Sequence, residues 1–93
     1  ERWSGMYLGR VIGTVVSTSK NENLIGMKLL IVEKLTERLE RDGTTEVAVD
    51  SVGAGTGEIV LVSQGSSARY VFQNASAPID KAIVGIVDTV EVG

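Results

Sequence analysis

The stretch E-V-A-V-D-S-V-G-A-G-T-G-E-I-V-L-V-S, Glu46–Ser63, decides the fold. Both halves are rich in β-branched residues, and it breaks in the middle on three glycines, Gly53, Gly55 and Gly57. Before the break, Val47 and Val49 share one face and Ala48 and Asp50 the other, the two-residue period of a strand. After it, Glu58–Ser63 is a continuous apolar run that suits a strand buried on both sides. The glycines sit between two strands, which is a tight loop and not the start of a helix.

That context excludes the nucleotide readings of a glycine cluster. A dinucleotide fingerprint needs G-x-G-x-x-G between a strand and a helix, with an acidic partner about 20 residues further on. Here the spacing is G-x-G-x-G and the next segment is β-type, and no G-K-[ST] completes a phosphate loop. Glycines in this position instead permit positive φ and close approach of another backbone, from this chain or from a copy of it. Glu58 either accepts hydrogen bonds from loop amides or stands solvated at the surface.

Outward from this stretch the same texture continues. Leu8–Ser19 reads as a first strand with a bend at Gly13, and Gly26–Leu35 as a second, although its Leu and Lys content would also suit a helix. Thr36–Thr45 is charged and carries Asp42-Gly43, a turn signal, so it reads as an exposed hairpin excursion. Glu46–Val52 is the third strand and Glu58–Ser63 the fourth. Gly65–Tyr70 suggests a short helical turn capped by Ser66 or Ser67. Ile79–Val92 is the last strand, bent at Gly85. Five short strands with glycine bends and one small helix predict an all-β fold, a five-stranded OB-like Greek-key barrel. Closure also removes the edges that valine-rich strands would expose.

Length and composition set the limits of function. Ninety-three residues make one domain with a small core. Domains of this size gain support from disulfides, metals or oligomerisation. With no cysteine and no histidine, the usual zinc sites and every histidine-based triad are excluded, leaving oligomerisation as the common support. No cofactor is implied. A net charge of −3 offers no footprint for nucleic acid or an anionic membrane. No apolar run approaches a membrane span, and a cytoplasmic location is the simplest expectation. Residues 1–5 read as an expression-tag remnant ahead of a single domain over residues 6–93; the alternative is a native arm anchored by Trp3.

Asp50, Glu58 and Asp88 are the candidate acids, but the nucleophile partners for acid–base work are missing, so no catalytic residue is predicted. Asp80 reads as a turn or capping residue, and Arg69 as a structural partner for one of the acids. OB-like barrels often bind single-stranded nucleic acid, which makes such a binding module the rival function. Tyr7, Tyr70 and Phe72 have no cluster of basic residues around them, which such a groove requires.

Five stretches in order carry a resemblance: R-V-I-G-T-V-V-S-T-S-K (10–20), L-I-G-M-K-L-L (24–30), V-A-V-D-S-V-G-A-G-T-G-E (47–58), L-V-S-Q-G-S-S-A-R (61–69) and P-I-D-K-A-I-V-G-I-V-D-T-V (78–90). Across Met6–Val90 the chain resembles the EutN/CcmL family of bacterial microcompartment vertex proteins. The resemblance implies an OB-like barrel assembling as a cyclic pentamer that caps the vertices of a polyhedral shell in the cytoplasm, beside hexameric shell tiles. It implies a structural protein and not an enzyme. It also implies that Gly53, Ala54, Gly55, Thr56, Gly57 and Glu58 lie near the five-fold axis, at subunit contacts or at a narrow pore. The family varies over Thr36–Gly43, so that excursion is left without a role.

Overall fold

The computed structural model describes residues 5–16, 26–65 and 79–92. Five strands follow in chain order: β1 (Met6–Val15), β2 (Leu29–Leu35), β3 (Arg41–Asp50), β4 (Ile59–Gln64) and β5 (Lys81–Ile86). They close into a barrel in the order β1-β2-β3-β5-β4, with β4 returning to β1. All pairings are antiparallel except β3 with β5, which run parallel over Val49↔Ala82 and Asp50↔Ile83. The all-β Greek-key barrel read from the sequence is therefore the observed one. Apart from Gly65, the expected helical turn over Gly65–Tyr70 lies outside the described residues, as do residues 1–4 of the expected tag remnant and the candidate partner Arg69.

Alternation along each strand fills the barrel. Tyr7 and Val11 of β1, Leu30 and Val32 of β2, Ala48 of β3, Val60 and Val62 of β4 and Ile83 of β5 meet in one buried cluster. Gly9 belongs to the same inward row: a Cβ there would run into Val32 Cγ1 and stand 3.2 Å from the Glu33 carbonyl oxygen. The space it leaves is used by the Tyr7 ring, over whose face Lys34 Nζ lies at 4.8 Å from the centroid. The Tyr7 hydroxyl is buried, with no hydrogen-bond partner among the described residues. Burial first, and then the carboxylates of Glu46, Asp80 and Asp42, push its ionisation well above the usual phenol range.

Several boundaries differ from the sequence reading, each for a local reason. β4 reads as buried on both sides, yet its apolar residues alternate: Val60 and Val62 are sealed inside, Ile59 and Leu61 are half-buried on the outer face, and Ser63 next to Val62 is buried. The anticipated bend at Gly13 is a bulge: Val11 pairs with Val32 and Gly13 with Ile31, so Ile12 is the extra residue. Gly85 sits at a second one, with Leu61↔Gly85 followed by Val62↔Ile83 and Val84 left over. The last strand ends at Ile86 and not at Val92. β2 begins at Leu29, three residues later than expected.

The largest correction concerns Thr36–Thr45. It is not an excursion beyond the strands; β3 begins at Arg41, and the connection is only Thr36–Glu40. Thr36 organises that tip. Its hydroxyl oxygen accepts the amides of Arg38 (3.2 Å) and Glu40 (3.3 Å), and its own amide donates to the Glu40 carbonyl at 2.8 Å. Leu39 is held there at φ 62°. Asp42-Gly43, the expected turn, is instead a bulge inside β3, where Asp42–Thr44 stand opposite the single Lys34. The Asp42 carboxylate accepts the Thr44 amide at 2.9 Å, the local bond that made the dipeptide look like a turn. Asp80 contributes its backbone carbonyl to the Gly65 amide at 2.8 Å, and its side chain meets Lys81 at 3.2 Å.

Candidate functional site: the glycine loop at one end of the barrel

The strand directions place the Ser51–Glu58 loop at the barrel end shared by the β1–β2 connection and the segment after β5. β3 delivers it and β4 takes it away. Its outgoing limb is stitched to β1: the Gly57 amide donates to the Val11 carbonyl at 2.7 Å and the Val11 amide to the Glu58 carbonyl at 3.0 Å. The Ser51 hydroxyl donates to the Ile83 carbonyl at 2.6 Å, tying the incoming limb to β5.

Between these anchors, carboxylates hold four consecutive amides. Asp50 Oδ1 accepts from Val52 (3.0 Å) and Gly53 (3.1 Å), and Oδ2 from Ala54 (3.0 Å). Glu58 Oε1 accepts from Gly55 at 2.6 Å, while the Glu58 amide donates to the Gly55 carbonyl at 3.1 Å. Glu58 thus accepts a loop amide of its own chain while standing at the exposed surface, so both readings of it hold in part. Lys28, from the segment just before β2, donates from Nζ to Asp50 Oδ2 and to the Ala54 carbonyl, both at 3.2 Å. Its carbonyl also accepts the Asp50 amide at 2.9 Å. The Asp50 side chain is only 1% exposed. Burial pushes its carboxyl up, but the Val52 and Ala54 amides and the Lys28 ammonium more than offset this and hold it below the ordinary carboxylate range.

The six residues singled out by sequence divide into two groups. Ala54 is 1% exposed and belongs to the core cluster, closing the barrel end from inside. Gly53, Gly55, Thr56, Gly57 and Glu58 are exposed on the rim. Gly53 (φ 80°) and Gly57 (φ 93°) occupy the left-handed region, which explains two of the glycines from within the chain. Gly55 is different: its φ is ordinary, and a Cβ there would meet only Glu58 Oε1, at 3.5 Å.

Asp50 and Lys28 are the residues that sequence reasoning did not assign to this site. Asp50 had been considered as a possible catalytic acid; the signal that places it is an Asp just before a glycine-rich turn, a residue suited to bonding amides two residues on. For Lys28 no local signal exists, because its partners lie more than 20 positions away. Among the described residues no group of three or more acidic side chains is arranged to hold a metal ion.

Comparison with known proteins places this architecture. The family model described as "Ethanolamine utilisation protein EutN/carboxysome" matches residues 6–88. The chain belongs to the EutN/CcmL family. Within that family it is similar to the bacterial microcompartment shell vertex protein GrpN of Rhodospirillum rubrum, with 67% identity over 86 residues, 92% of this chain and 97% of that protein. It is 56% identical to the shell vertex protein PduN of Salmonella typhimurium, over 90% of this chain and 97% of that one. Among solved structures it resembles the GrpN pentameric microcompartment shell protein at a TM-score of 0.84 and 66% identity, covering 94% and 99% of the two chains. Gloeobacter violaceus CcmL superposes at 0.85 with 44% identity, covering 92% and 89%.

Proposed function

We infer that this chain is a shell vertex protein: five copies form a ring that caps a corner of a bacterial microcompartment shell in the cytoplasm. The observation that carries the reading is 67% identity to GrpN over 92% of this chain, joined to a barrel that matches that of pentameric GrpN. A sheet of hexagonal tiles cannot close on itself without five-fold units, so the chemistry required of a vertex protein is packing and not catalysis. Hexameric shell proteins are the neighbours this role calls for. The relatives are shell proteins, which disfavours the nucleic-acid reading that the barrel alone would allow.

A cyclic ring uses a heterologous interface, with one patch of each chain meeting a different patch of the next. The exposed rim of the glycine loop, Gly53 and Gly55–Glu58, is the subunit contact around the axis in our reading, and it borders the axial pore. Ala54 is excluded because its side chain lies inside the barrel. What supports the assignment is Gly55, whose lack of a side chain is not required by its own φ or by crowding within the chain.

Native mass spectrometry is the direct test of the assembly, with a pentamer expected and a persistent monomer at micromolar concentration overturning it. Gly55→Val tests the contact. The variant is expected to keep the barrel fold while losing pentamer, and a fully pentameric Gly55→Val protein would remove the loop from the interface.

A further inference from the structure

Ala54 is the hinge of the loop, since the chain passes through it from the buried barrel end to the exposed rim. Both of its backbone polar groups are taken by side chains. Its amide is held by Asp50 Oδ2 at 3.0 Å and its carbonyl by Lys28 Nζ at 3.2 Å. The peptide planes on either side of Ala54 are thereby set, and with them the direction in which Gly55 leaves the barrel. Upstream, the Val52 and Gly53 amides converge on the other oxygen of the same carboxylate.

We propose that Asp50, braced by Lys28, is a positioning residue for pentamer assembly: it fixes the 52–54 backbone so that Gly55–Glu58 is presented to the adjoining subunit. This rests on the reading of the rim as a subunit contact. Asp50 acts through the loop and not by touching the neighbour, because its side chain is sealed inside at 1% exposure. Burying a carboxylate there is costly, and among the described residues the hydrogen bonds that offset the cost come from the loop amides of Val52, Gly53 and Ala54 and from Lys28. An ion placed this way contributes a defined loop shape, which is what a repeated contact around an axis requires. Lys28 is half exposed, so its ammonium braces Asp50 from the solvent side.

The test is Asp50→Asn, which preserves shape but replaces one acceptor oxygen with a donor. The amide side chain cannot accept from Val52 and Gly53 on one atom and from Ala54 on the other. Hydrogen exchange at the Val52, Gly53 and Ala54 amides should speed up roughly tenfold to hundredfold, the size expected on losing bonds to a charged acceptor. Exchange at Val32 and Val62 should stay unchanged, and the concentration at which the pentamer dissociates should rise by about tenfold or more. Should Asp50→Asn fail to fold, Lys28→Met gives the same readouts in the same direction, because it frees the Ala54 carbonyl.

Loop amides that stay protected in the folded variant overturn the proposal. So does an unchanged dissociation concentration once those amides have been released. Gly55→Val, run in parallel, separates the two ideas. If it breaks the pentamer while Asp50→Asn does not, only the positioning role is lost. If it too leaves the pentamer whole, the contact reading of the loop falls.

Discussion

At the scale of single residues, Gly9 and Tyr7 show how little slack this barrel interior has. Gly9 makes room for Val32 and for the Tyr7 ring, so adding one methyl group at Gly9 drives it into a β-branched side chain that cannot rotate away. Gly9→Ala should cost about 1–3 kcal/mol through overpacking, and a thermal melt should show Tm lowered by roughly 5–15 °C. An unchanged melt would mean that β1 or β2 can shift to accommodate the methyl. The neighbouring Tyr7 hydroxyl makes the opposite case. It is buried and has no hydrogen-bond partner among the described residues to repay its desolvation. Tyr7→Phe should leave Tm unchanged or raise it slightly, while a loss of several degrees would reveal a partner for the hydroxyl. The aromatic ring itself is needed, both to fill the core and to receive Lys34.

At the scale of elements, short-range patterns gave the strands and long-range pairing gave their limits. Alternation in Glu46–Val52 marked the apolar half of β3, yet the strand stops at Asp50, two residues earlier than expected, and extends back to Arg41, because its charged half pairs with Glu33–Leu35 and needs no apolar face. Asp42-Gly43 carries the local chemistry of a turn and was read as one; the partner strand turns it into a bulge and moves the reversal to Thr36–Glu40. The glycine loop was legible as a loop, and as something other than a phosphate cradle. Its internal order was less so, since the bracing cation comes from Lys28 across the sheet.

The loop also has a pH signature. Asp50 titrates below its unfolded value, so its contribution is complete above about pH 4, the ordinary carboxylate range, and is lost as pH falls through its lower folded value. Lowering the pH below about 4 should therefore reduce the protection factors of the Val52–Ala54 amides, relative to their intrinsic rates at the same pH, before those of β4 amides such as Val62, and reversibly on neutralisation. Simultaneous loss of protection at both sites would show that the loop is not an independently opening unit.

At the scale of the whole molecule, the barrel is a small unit whose stability is joined to its assembly. A core this size leaves a narrow margin, and binding of neighbours adds to it by mass action, so the melting temperature of a pentamer rises with protein concentration. The glycine spacing and the alternating strands were enough to predict an all-β barrel, and a chain without cysteine or histidine carries none of the side chains on which the usual zinc sites and histidine triads are built. Those are properties of residue type and of neighbours along the chain. Only the tertiary structure could divide the glycine run into conformational glycines at 53 and 57, a buried plug at Ala54 and an open position at Gly55. That division depends on φ, on burial and on a carboxylate and an ammonium brought together from β3 and the start of β2. The six residues that looked alike in sequence are thus distinguished by which way the closed barrel makes each one face.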